Sequence, residues 1–477
     1  MLLPSFDSFR EKFATIFDKY FVANLCKVVL FSGVILYLAS IFLFKDSNCS
    51  SPYELLESSN NNLPFAQLSS SNDTNLSHLV FGLLGSEKAW HYRKSYIESW
   101  WRPKLTRGYL FLDASPSGNI VSTNITKLVQ ETQHVAPIMA RMVHGIKEIF
   151  EQEHEGVRWV VMGDDDSIFF VENIVDVLAK YDHNKYYYFG AQSEFILSNF
   201  WYSFNQGFGG AGFILSFPLA KALAEDMESC LRRYPFLNSA DHITMTCIMD
   251  LGASFFPFKG LHQVDLRGDI SGLLSSHPKA LLMSLHHFDS TSPIFPSMDR
   301  IQSTKHLMKA AKFDQSRMLQ QTICHHRSSN WTFSVSWGYS VHIYEKIMPR
   351  SHLIKPIETF ETWSGKPENP PYYMFNTRSS AKDSCETPHV FFLKSIGETW
   401  NKNEIMATYS RSAVRRLPAC PIAGNHPANY INKIQVYSRR TKRREMDRCE
   451  CCDIIHTARS NKAQLKLREC FTKEKIA

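Results

Sequence analysis

The sequence has no internal repeat, only a small excess of charge and a single long uninterrupted apolar run. Without a repeat, a solenoid or propeller has nothing to build on. A net charge of +7 over 477 residues does not point to a nucleic-acid partner. The densest basic stretch, Arg439, Arg440, Lys442, Arg443 and Arg444, is shaped like a nuclear signal. In a chain with a membrane segment it reads instead as a solvated basic face. Lysine and arginine are also missing between Lys45 and Lys88, and no small-residue cleavage site follows the apolar run, which speaks against a removed signal peptide. What is present is globular: 44% hydrophobic, 13% aromatic and 21% charged, in a chain long enough for one large domain or two.

The apolar run is Val28–Phe44, VVLFSGVILYLASIFLF, bracketed by Lys27 and Lys45. At about 1.5 Å per residue it spans roughly 25 Å, enough for a thin bilayer. Arg10, Lys12, Lys19 and Lys27 precede it, so the positive-inside bias predicts an uncleaved signal anchor with residues 1–27 in the cytosol and the rest in the lumen. Sequons at Asn48, Asn72, Asn75, Asn124 and Asn330 all follow the run. Ten of the eleven cysteines follow it too, an even number that permits disulfides in an oxidising compartment. Cys449, Cys451, Cys452 and Cys470 cluster, but their spacing lacks the matched second pair of a zinc site, so disulfides are expected.

Residues 45–77, rich in Ser and Asn, read as a flexible stem. From His78 the pattern alternates. Strands are expected at Leu79–Leu84, Tyr109–Asp113, Val157–Met162 and Tyr186–Phe189. Helices are expected at Glu87–Trp101, Ile125–Phe150 and Asn173–Lys180. This predicts an α/β domain with a largely parallel sheet over residues 78–290. Residues 291–477 are irregular, cysteine-containing and β-rich, with no role assigned.

Four features could carry chemistry. Asp164, Asp165 and Asp166 follow the apolar strand VRWVVMG. Adjacent carboxylates between hydrophobic segments repel, and a hard divalent cation relieves them; otherwise they form a solvated acidic turn. The run Gly207-Phe-Gly209-Gly210-Ala-Gly212 formally matches a dinucleotide fingerprint, but no clean strand precedes it. It reads better as backbone passing close to a substrate. Asp241-His242 begins an apolar helical pattern, so Asp241 either caps that helix or acts as a general base. His262, His277, His286 and His287 lie downstream of the carboxylates and offer a metal ligand, although a lone histidine is more often structural.

Taken in order, several stretches resemble the Fringe-like members of glycosyltransferase family 31, most closely the plant Fringe-related group. They are HLVFGLLGSEKAWHYRKSYIESWWRP, RWVVMGDDDSIFFVENIV, QGFGGAGFILSFPLAKAL, GLHQVDLRGDISGLLSSHP, LLMSLHHFD, SVSWGYSVHIY, HVFFLK and CECCDI, spread over residues 78–455. The resemblance implies a GT-A nucleotide-sugar-binding domain, a UDP-sugar donor, Mn²⁺ with Mg²⁺ as an alternative, a glycan or glycoprotein acceptor, and inversion, commonly to a β1,3 link. It implies a Golgi membrane protein of type II topology. By the same resemblance the metal falls to Asp164 and Asp166, with His262 as the matching ligand histidine and His286 as the alternative. Arg93, Asp113, Asp164, Asp165, Gly209 and Gly210 fall on the donor side. The acidic pair near the acceptor falls on Asp241 and His242, where His replaces an acid and either residue could own the proton. Cys230 and Cys247, flanking Asp241, are implied disulfide partners. The competing functions are a catalytically weakened lumenal binding protein on the same scaffold, and a Rossmann oxidoreductase that would need a strand before Gly207.

Overall fold

A computed structural model describes residues 32, 74–114, 141–152, 155–400, 403–421, 427–440, 442, 449–455 and 460–475. Apart from Ser32, the apolar run Val28–Phe44 lies outside these residues, as do Cys26, Cys49, Asn48, Asn72 and Asn124. No helix among the described residues is long and apolar enough to cross a membrane. Asn72–Ala477 forms one compact unit.

The first sheet is built from β1 (Leu79–Leu84), β2 (Arg107–Phe111), β3 (Trp159–Asp164), β5 (Tyr188–Gly190), β6 (Phe213–Ser216) and β7 (Phe255–Pro257), in the order β2-β1-β3-β6-β5-β7. The expected largely parallel sheet is a mixed one. β1 is parallel to β2 and β3, and β5 is parallel to β7, but β6 is antiparallel to both β3 and β5. All strands except β6 therefore point the same way, and their carboxyl ends share one edge. Apart from β7, whose Phe256 is exposed, the strands are largely buried on both faces, which is why they read as continuous apolar runs. Along β1, Leu79, Phe81 and Leu83 face one core while Val80 faces another, the period of two that a strand imposes. The second core is closed by the helices Arg141–Gln152, Phe217–Arg233 and Ala240–Asp250. Of the helix expected at Ile125–Phe150, residues 125–140 lie outside the described residues.

The first core continues from Leu79 without a break into the second half, as far as Leu467. There an eight-stranded sheet runs β10 (Gln321–His326), β11 (Trp331–Ser336), β12 (Ser340–Tyr344), β14 (His389–Glu398), β15 (Glu404–Arg411), β16 (Lys433–Arg439), β18 (Lys462–Arg468), β17 (Cys451–Ile455). It is antiparallel except between β16 and β18. Two short ladders join distant segments: β4 (Ile168–Phe169) with β9 (Ser284–Leu285), and β8 (Leu266–Gly268) with β13 (Phe360–Thr362).

Four disulfides link the described cysteines: Cys230–Cys247, Cys324–Cys452, Cys385–Cys420 and Cys451–Cys470, with Cys449 left free. Cys451 and Cys452 are adjacent on β17 and so project to opposite faces, which explains their different partners. In the basic stretch, Arg440 pairs with Glu398 at 3.0 Å and Lys442 with Asp176 at 2.5 Å.

A buried ion triad ties the two ends of the second half together. Arg317 forks onto Glu450 with Nε and Nη2 at 2.9 and 2.7 Å, and Nη1 pairs with Asp314. All three side chains are buried. Arg317→Met should leave two carboxylates buried without their cation and cost about 3–5 kcal/mol. A denaturant midpoint equal to that of the parent would contradict this.

Candidate active site

Asp164 is the last residue of β3, paired in register with Leu84 of β1. The strand thus runs two residues beyond the expected Met162 and delivers the carboxylates to the edge where open α/β sheets bind ligands. The turn that follows is fixed from several sides. Ser167 Oγ accepts from Asp164 N at 2.8 Å and donates to Gly210 O at 2.7 Å. Trp100 Nε1 donates to Ser167 O at 2.9 Å. The β4–β9 ladder pairs Ile168 with Leu285, which brings His286 back against the turn.

The result is a group of three ligand-type side chains, Asp164, Asp166 and His286, whose donor atoms lie within 4.8 Å of one another. His286 Nε2 is 3.1 Å from Asp166 Oδ1 and 3.5 Å from Asp164 Oδ2. Asp166 is 1% exposed, yet its Oδ2 makes no hydrogen bond. Burial would raise the Asp166 carboxyl, but His286, Arg93 and His287 outweigh it and hold it well below the usual range. Asp164 moves the other way: confinement in the cleft and the carboxylates of Asp166, Asp241 and Asp165 push it well above, although a third of its side chain reaches solvent. Burial also raises Asp165, against the pull of Arg93. A site with crowded carboxylates, one of them with an oxygen that makes no hydrogen bond, and an imidazole alongside fits a divalent cation. A second candidate group, Cys451, Cys470 and Glu474, has both sulfurs in a disulfide.

The remaining expected site residues divide. Arg93 turns into the carboxylates: Nη1 meets Asp165 at 2.8 Å, Nη2 meets Asp166 at 3.4 Å and Nε meets Asp289 at 3.0 Å. Here it is a counter-ion for the acidic turn rather than a free hand for a donor phosphate. Asp113 is exposed and accepts from Glu87 N at 2.7 Å, capping the helix Glu87–Trp100. His262 is not brought to the carboxylates. Its Nδ1 is 3.0 Å from Glu194 and its Nε2 is 2.9 Å from His277. The His286 alternative is the one that geometry joins to Asp164 and Asp166.

Asp241 sits in the first turn of its helix without capping it, since the cap residue is Ser239. It faces the glycine loop instead. A Cβ on Gly209 would come within 2.6 Å of Asp241 Oδ1. Burial pushes Asp241 up to about 6, with Gly209 and His286 pulling the other way. His242 points elsewhere, its ring 6.3 Å from Tyr202. The segment before Gly207 is the helix Ile196–Trp201 and irregular chain, and a strand rather than a helix follows, so the dinucleotide reading fails.

Gly210 lies against His286, where an added Cβ would stand 1.9 Å from the ring. Gly210→Ala should displace His286 and weaken metal-dependent UDP binding by about tenfold or more, since an overpacked contact typically costs 1–3 kcal/mol. Gly397→Ala, with nothing within 4 Å of its Cβ, serves as the neutral control. Equal UDP titrations for the two variants would dismiss the role given to the loop.

Residues not anticipated as functional complete the surroundings. Asp265 accepts from Ser193 and lies 3.0 Å from His287 Nδ1. The His287 ring lies 3.8 Å from His286 and stacks on Trp363 at 4.5 Å. His287 and Val264 both hold positive φ, 56° and 54°, a strained conformation for such residues. Trp363 comes from the second half, carried in by the pairing of Thr362 with Leu266. An acid between apolar residues in QVDL was the available signal for Asp265; Trp363 had none.

A family model described as Fringe-like matches residues 76–266. A model described as "Protein of unknown function, DUF604" matches residues 198–452, more than half the chain. The curated proteins compared with the chain give no match. Fringe-like proteins are glycosyltransferases, and the mixed α/β architecture fits the GT-A fold.

Proposed function

The chain belongs to the DUF604 family and carries a Fringe-like region, and on that premise we propose that it is an inverting, metal-dependent glycosyltransferase using a UDP-sugar. The observation that carries this reading is the group Asp164, Asp166 and His286 at the carboxyl edge of the sheet, with Asp166 Oδ2 making no hydrogen bond and only a 3.4 Å ion contact with Arg93. These three side chains would hold the cation, Mn²⁺ or alternatively Mg²⁺, which when bound neutralises the charge of a departing diphosphate. Arg93 keeps Asp165 and the turn in place. Gly209 and Gly210 give the cleft a wall without side chains. Asp241, raised to about 6, takes the proton from an acceptor hydroxyl as that oxygen attacks the anomeric carbon from the opposite face. The transferred unit is a hexose or N-acetylhexosamine, and the link is β1,3. The direct test is a screen of the full-length protein for UDP release against UDP-sugars, with Mn²⁺, Mg²⁺ or chelator. Release that needs metal and acceptor supports the reading. No release from any donor, with UDP binding also absent, rejects it.

We further infer a Golgi membrane protein anchored by Val28–Phe44, with the body in the lumen. The Lys/Arg asymmetry around that run and four disulfides among the described residues support it. In sealed microsomes the C-terminal half should resist added protease until detergent is present. Digestion without detergent would reverse the topology.

A further inference from the structure

Phe200, Trp201, Tyr202 and Phe204 are 71, 61, 42 and 43% exposed. Exposed rings of this size cost free energy in water, and four within five residues mark a contact surface. The chain beneath them is held firmly. Asn199 Oδ1 accepts from Ser193 N at 3.0 Å and Nδ2 donates to Ser193 O at 2.9 Å. Ile196 N donates to Tyr372 O and Met374 N to Glu194 O, both at 2.9 Å, with a bridge between Phe195 and Tyr373. The rings thus stand on a braced ledge, and the second half of the chain supplies the brace.

The ledge runs to the rim of the active site. Tyr202 lies 6.4 Å from Phe208 of the glycine loop and 6.3 Å from His242, the neighbour of Asp241. Its chemistry is neutral: no Lys, Arg, Asp or Glu occurs from Phe195 to Ala220. That disfavours an anionic membrane surface or a charged partner. Two residues beyond Phe204, Gln206 is wholly buried and neither of its amide atoms has a hydrogen-bond partner. The segment therefore presents exposed apolar ring faces and no charge. A pyranose presents the complement, flat C–H faces edged with neutral hydroxyls.

We propose that Phe200, Trp201, Tyr202 and Phe204 form the acceptor subsite, stacking on the faces of neutral sugar rings and leading the terminal hydroxyl toward Asp241. This rests on the glycosyltransferase reading, so the test separates the two. The full-length protein is titrated with UDP plus Mn²⁺ in one arm. In the other it is titrated with neutral oligosaccharides ending in galactose, N-acetylglucosamine or fucose. Trp201→Ala and Phe200→Ala should each weaken oligosaccharide binding about tenfold. UDP binding should stay unchanged, and Trp201→Tyr should keep most of the oligosaccharide affinity. Both rings are exposed, so their loss leaves the core intact; unchanged UDP binding by the variants checks this. Equal oligosaccharide affinity in wild type and variants, or no binding of any neutral oligosaccharide, overturns the subsite while intact UDP binding leaves the transferase reading standing. Trp201-dependent binding to phosphatidylcholine vesicles, or Trp201-dependent self-association, in place of sugar binding also overturns it. Failed UDP binding with Trp201-dependent sugar binding sinks the transferase reading alone and upholds the ledge.

Discussion

Asp166→Ala is expected to abolish Mn²⁺-dependent UDP binding rather than merely slow turnover. Asp166 is buried, has one oxygen 3.1 Å from His286 and one with no hydrogen bond. It is the carboxylate held most firmly ionised, because His286 and Arg93 outweigh its burial. Asp164 alone does not replace it, since it sits 3.5 Å from His286 and a third of its side chain reaches solvent. The variant keeps only Asp164 and His286 as donors, one carboxylate where the parent has two, whereas Mn²⁺ and Mg²⁺ bind through carboxylates and substrate phosphates. Calorimetric UDP titration with and without Mn²⁺ decides it. Metal-dependent binding equal to that of the parent would remove the Asp cluster as the metal site.

Asp241→Asn should leave UDP binding nearly intact while transfer falls about 10²- to 10⁴-fold, the usual cost of losing a positioned base. The base is the deprotonated carboxylate, and burial places its titration at about 6. Transfer should therefore rise as pH climbs through about 6 and level off above it, and that rise should be missing in Asp241→Asn. His242→Ala should lose less, because its ring is turned toward Tyr202. If the histidine variant falls as far as the aspartate variant, the proton belongs to His242. A flat pH profile in the parent would argue against Asp241 as the base.

Elements and site residues differ in how far the sequence alone reveals them. β1 was legible because every residue of Leu79–Leu84 but Gly82 is apolar and both faces are buried. The direction of β6 was not legible, because three apolar residues and a serine carry no sign of which way they run. The Asp run was visible as a metal candidate from carboxylate repulsion alone. Its histidine partner was not fixed by spacing: it depends on a ladder of two residue pairs, Ile168–Leu285 and Phe169–Ser284. His262 lies in a similar stretch but is turned to Glu194 and His277. Asp113 and Arg93 were placed on the donor side by resemblance alone, while their duties as cap and counter-ion depend on contacts between segments far apart in sequence.

The Leu266–Thr362 pairing has a practical consequence for anyone who would cut this protein down. A fragment ending near residue 290 would keep Asp164, Asp166, Asp241 and His286, and on paper it would look complete. It would also discard the tryptophan lying on His287, the strand alongside Asp265, and the shared core that covers the inner face of the first sheet. The newly bared surface would be apolar and would include the partner side of β1, an invitation to aggregate. The piece that keeps these contacts is therefore the whole folded unit, with the second half supplying Trp363 against His287 and one side of the shared core.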